Sequence, residues 1–139
     1  RAAMRPPDSI SALCAMTLGL LGAAFVAAGT LYGCMGLECD AINGRAEAGY
    51  WFGEPYWGRG YATEALGALL AFAFTTLKLH RVTAKHFGSN PASGRVMEKN
   101  GMRLEGTLRE HILKNGVFED AVCRGILKSE WLLQEKRAR

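Results

Sequence analysis

The 139-residue chain contains no Cys-x-x-Cys pair, and no histidine stands at ligand spacing from Cys14, Cys34, Cys39 or Cys123. A zinc site of the usual spacing is thereby excluded, no metal is expected, and the thiols read as small buried side chains of a reducing, cytoplasmic compartment. Cys34 and Cys39, flanking a predicted strand end, are the two that could meet. Repeats, low-complexity tracts and linkers are also missing, so one domain over residues 1–139 is expected. The chain lacks the interleaved basic and aromatic residues of nucleic-acid binders. Its net charge of +4 suits a phosphate-bearing ligand, while Lys136-Arg137-Ala138-Arg139 reads as a solvated, frayed tail.

Charge is absent from Ser9 to Leu37, and within that stretch Ala12 to Ala28 is almost wholly apolar. With Arg1 and Arg5 before it and the small residues Ala27-Ala28-Gly29 at its end, the run imitates a targeting peptide or a marginal membrane span. Phe25-Val26-Ala27, Ala28-Gly29 and Thr30-Leu31-Tyr32 nevertheless read as strand, turn and strand. Core strands, with no membrane association, are the expectation.

The elements predicted along the chain are a first strand at Met4 to Ile10, a short helical region, strands at about 18–27, 30–38 and 46–52, and an apolar helix from Tyr61 to Leu77. A strand follows at His80 to Phe87, then a helix capped at Asn90 with Pro91 in its first turn and stopped by Gly101. Arg103 to Leu113 and Val117 to Leu127 form a hairpin around Asn115-Gly116.

The most informative stretch is Trp57-Gly58-Arg59-Gly60-Tyr61-Ala62-Thr63-Glu64-Ala65, between a strand and the apolar helix. Glycines at 58 and 60 permit a tight turn with successive N–H groups outward, and the helix start adds its dipole, so an anion is favoured there. The spacing is neither the dinucleotide fingerprint nor the P-loop.

A second block, Asn90-Pro91-Ala92-Ser93-Gly94-Arg95-Val96-Met97-Glu98-Lys99-Asn100-Gly101, and a third upstream, Ala46-Glu47-Ala48-Gly49-Tyr50-Trp51, accompany it. In this order and spacing the three blocks resemble the GNAT acetyltransferases, and most closely the branch that acetylates N-terminal amines of ribosomal proteins, over roughly Gly29 to Trp131. The resemblance implies an α/β fold: a mixed, mostly antiparallel sheet with helices on both faces, here with a shortened N-terminal region.

It also implies acetyl-CoA as cosubstrate and an amine acceptor, either a peptide N-terminus or a small amine, served by a monomer or homodimer. The donor's pyrophosphate would rest on Trp57, Gly58, Arg59, Gly60, Tyr61, Ala62 and Thr63. Its pantetheine arm would pair with a bulged, splayed strand at Gly49, Tyr50, Trp51 and Phe52, and hydrogen-bond Asn90, which also reads as a plain helix cap. Glu47 matches the general-base position, with Glu110 as rival, sharing a strand face with Ile112. Ser93 matches a hydroxyl used near the thiolate, whereas the tyrosine that many relatives carry on the second helix is Met97 here. That vacancy leaves a non-catalytic CoA-binding or interaction module as the alternative. His80 and His86 read as packing or surface residues, and Trp51, Trp57 and Trp131 as core and cleft walls.

Overall fold

The computed structural model describes residues 11–17, 20–27, 30–53, 55 and 57–139, with side chains from Gly33 onward. The elements are β1 (Ser11–Thr17), β2 (Leu20–Ala27), β3 (Thr30–Asp40), β4 (Arg45–Phe52), α1 (Tyr61–Thr75), β5 (Arg81–Phe87), α2 (Pro91–Lys99), β6 (Arg103–Lys114), β7 (Val117–Leu127) and α3 (Lys128–Arg137). The strands form one sheet in the order β1-β2-β3-β4-β5-β7-β6. Only β4 and β5 run parallel, because α1 carries the chain back between them.

Strand alternation decides which face is buried. Met35 and Leu37 of β3, Ala46, Ala48 and Phe52 of β4, Val82 and Ala84 of β5 and Ile126 of β7 point the same way. Onto them pack Leu66, Leu70, Ala73 and Phe74 of α1 and Met97 of α2, all nearly inaccessible. Each large side chain so buried contributes about 1.5–3 kcal/mol. The small residues Ala46, Ala48 and Ala84 let α1 lie close to the sheet. The α3 residue Trp131 stacks on Phe74, ring centroids 5.5 Å apart, so the three described helices gather over one face. The expected mixed, mostly antiparallel sheet is present; no helix covers its second face among the described residues.

Several local expectations change. Ser11–Thr17 is a strand, not a short helix, paired to β2 from Ser11↔Val26 to Thr17↔Leu20. The described parts of the apolar run thus form two antiparallel strands, and among the described residues no helix is long and apolar enough to cross a membrane. The strand expected at Met4 to Ile10 and the turn at Ala28-Gly29 lie outside the described residues. Cys34 and Cys39 sit five positions apart within β3, hence on opposite faces, and both are free thiols, as is Cys123. Lys136 and Arg137 belong to α3 rather than to a frayed tail; the Leu127 N–H donates to the Glu130 carboxylate (3.0 Å) and fixes the start of that helix. The Asn115-Gly116 hairpin turn is present, with φ of 51° and 77°.

Candidate functional site

The ladder between β4 and β5 ends at Ala48↔Ala84. Beyond it β4 remains paired to β3 as far as Gly33↔Phe52, and β5 remains paired to β7 as far as Phe87↔Ala121. The sheet therefore forks in its middle. The splay expected at Gly49 to Phe52 is present, but its pairing with β3 is regular, so no bulge accompanies it.

On the helix side the fork opens into a cleft of about 410 Å³. Tyr50, Trp51 and Phe52 form one wall, Asn90 and Ser93 of α2 the other, and Trp57, Gly58, Gly60, Tyr61, Ala62 and Thr63 the end. Trp57 folds back so that its indole N–H donates to the Phe52 carbonyl (2.6 Å). Gly58 and Gly60 have φ of 70° and 81°, and Gly60 precedes α1 without any side-chain cap hydrogen bond. The helix start, with its partial positive charge, thus faces the cleft. Arg59 is exposed and does not line the cleft.

Asn90 performs the capping role, its Oδ1 accepting from the Ser93 N–H (3.2 Å), while also lining the cleft. Ser93 Oγ lies 3.0 Å from the Tyr50 hydroxyl, which also reaches the Ser93 carbonyl at 3.3 Å. Burial pushes the Tyr50 phenol up, and the hydrogen bond with Ser93 pulls in the opposite direction. Met97, which the family resemblance sets where many relatives would carry a tyrosine, is buried in the core and offers no hydroxyl. Arg95 and Lys99 line the same cleft, and sequence reasoning missed them. Ala92, Arg95, Val96 and Lys99 fall at i, i+3, i+4 and i+7, a single helix face whose two cations were the available signal.

The second face holds a cavity of about 470 Å³ lined by Glu38, Glu47, Arg81, Lys85 and Glu105, among others. Glu47, one residue before the fork, points there and pairs with Lys85 (3.4 Å). Arg81 donates two hydrogen bonds to the Glu105 carboxylate, one at 2.6 Å, and these hold its carboxyl below the usual range. Glu110 is remote from this arrangement. The β6–β7 register breaks between Leu108 and Ile112, Glu110 takes φ of 47°, and its N–H donates to Asp120 (2.8 Å). The simple alternation that set Glu110 beside Ile112 does not survive that irregularity, and Glu110 lines neither cavity. His80 is exposed and His86 half-buried.

Residues 9–103 match the family model described as the acetyltransferase (GNAT) domain. The chain belongs to the GNAT acetyltransferases. It is 37% identical over 92 residues to the uncharacterized N-acetyltransferase p20 of Bacillus licheniformis, covering 66% of this chain and 52% of that protein. To the ribosomal-protein-serine acetyltransferase of Escherichia coli it is 35% identical over 81 residues, covering 58% and 43%. A solved spermidine N-acetyltransferase from Vibrio cholerae superposes with a TM-score of 0.78 at 27% identity, over 84% of this chain and 70% of that one. The chain spans about half the length of the curated relatives it matches. GNAT enzymes use acetyl-CoA as cosubstrate, and among the described residues no cluster of metal-ligating side chains occurs.

Proposed function

We propose that this GNAT chain transfers the acetyl group of acetyl-CoA to a primary amine by direct attack in a ternary complex, without a covalent enzyme intermediate. The fork carries this reading. Parted strands beside a helix start that has no side-chain cap offer backbone groups for an extended amide-containing arm and a seat for its pyrophosphate. In this reading Gly58, Gly60, Tyr61, Ala62 and Thr63 hold the pyrophosphate, with Arg59 adding charge from outside. Tyr50, Trp51, Phe52 and Asn90 guide the arm, and a β4 N–H polarises the thioester carbonyl.

The amine would approach from the second face, where Glu47 acts as base through water. An α-amine has a reference pKa of about 7.7–8.0 against about 10.4 for lysine, so a weakly held base suffices for a peptide N-terminus. The ribosomal-protein relative favours that acceptor, and the spermidine enzyme makes a polyamine the rival. Incubation with labelled acetyl-CoA and a panel of N-terminal peptides, polyamines and aminoglycosides tests the reading. Label is expected on peptide α-amines. Tight CoA binding with no transfer to any amine would support the non-catalytic module instead, and failure to bind CoA would exclude both.

A further inference from the structure

We propose that the hydroxyl of Tyr50, on β4, donates the proton to the departing CoA sulfur, with Ser93 positioning it, so that a strand tyrosine fills the role left empty by Met97 on the helix. The inference rests on the acetyl-transfer reading above. Tyr50 is the residue two positions past the last β4–β5 pair, on the helix side of the fork. Its hydroxyl stands in the cleft against Ser93 Oγ (3.0 Å) and the Ser93 carbonyl (3.3 Å). The phenol O–H can rest on that carbonyl while Ser93 Oγ–H donates to the phenol oxygen. As the amine nitrogen bonds to the acetyl carbon, the C–S bond breaks and its electron pair leaves on sulfur. The phenol proton then moves to sulfur, Ser93 steadies the resulting phenolate, and water returns the proton shed by the amine. An ordinary phenol, with a reference value of about 10, is already protonated at neutral pH, so the Tyr50 hydroxyl is available as a donor.

The test needs no acceptor. The ionisation of CoA's thiol is followed through thiolate absorbance, in CoA bound to the wild type, Tyr50→Phe and Ser93→Ala. A hydrogen bond to the thiolate favours its charged form, so the wild-type complex should titrate below the ordinary thiol value of about 8.5 and Tyr50→Phe about one pH unit above the wild type. Ser93→Ala should fall between, and it serves alone if Tyr50→Phe does not fold. Acetyl-CoA affinity should stay within about twofold, because the hydroxyl acts on the departing thiolate. In steady-state assays with any amine that accepts acetyl, Tyr50→Phe should lower kcat about 10²-fold with KM little changed. Identical thiol titrations in all three proteins would overturn the assignment. A wild type that binds no CoA would instead remove the donor reading beneath it, a distinguishable result.

Discussion

Gly94 of α2 lies directly on the His86 ring of β5: a Cβ at position 94 would stand 2.8 Å from Nε2 and 3.0 Å from Cε1. The ring is held by its Nδ1, which bonds the Phe87 carbonyl (2.9 Å). This contact sets the depth of the helix that carries Asn90, Ser93, Arg95 and Lys99. Gly94→Ala is expected to lift α2, at a cost of about 1–3 kcal/mol, and to weaken CoA binding. Chemical denaturation and calorimetric titration check the two effects.

The Gly58–Gly60 turn is constrained by conformation rather than by space, since a Cβ at either position meets nothing within 4 Å while both φ values are positive. Left-handed backbone costs an ordinary residue about 1–2 kcal/mol and a β-branched one more. For the wild type, CoA at one hundred times its dissociation constant should add about 2.7 kcal/mol of stability. Gly60→Val should abolish that gain in a thermal-shift titration. A wild type unmoved by millimolar CoA would show the cleft to be misassigned.

Arg95 and Lys99 extend the positive field of the α1 start across the cleft. Replacing either with alanine should weaken CoA about tenfold and flatten the dependence of affinity on salt. Arg59→Ala, outside the lining, should do less. Isothermal titration at two ionic strengths separates them.

For Glu47→Gln, turnover should fall about 10²–10⁴-fold with CoA affinity nearly intact, and the pH optimum should move upward. Glu110→Gln, on the irregular edge of β6, should leave both the rate and the pH profile unchanged. Parallel pH–rate profiles decide between the carboxylates.

Two paired carboxyls make stability depend on pH in the acid range. Arg81's hydrogen bonds lower the Glu105 carboxyl, and the Leu127 N–H followed by Arg103 lowers that of Glu130. A depressed carboxyl contributes stability above its unfolded value of about 4.3, and loses it as pH falls through the folded value. Glu105→Gln should therefore narrow the difference in melting temperature between neutral and acidic solution. Melting curves from pH 7 down through about pH 3 test the sign.

The residues that announce themselves in the sequence are those whose local chemistry needs no distant partner. Asn90-Pro91 caps a helix, Asn115-Gly116 turns a hairpin, and Gly58 and Gly60 shape the turn into α1, and each lies where expected. Ser11–Thr17 was obscured because a run with no charge has no alternation from which to read a strand. The helix from Lys128 to Arg137 was hidden for the opposite reason: its polar residues resemble a tail until Trp131 meets Phe74. Tyr50 and Ser93 were each legible as cleft residues. Their contact was not, since 43 positions separate them and only the seating of α2 on β5 brings them together.

A sheet that forks has edge strands in its interior. Edges on the outside invite strand addition from any passing chain, which is why proteins shorten, charge or cover them. Here the inner edges of β4 and β5 lie inside one sheet, their outer edges paired to β3 and β7, so neither stands at the rim where another chain could add. Trp57 and α2 line the approach to the gap, the Trp57 indole N–H resting on the Phe52 carbonyl. What would be an aggregation hazard at the rim is thereby turned inward, as a seam walled by the molecule's own side chains.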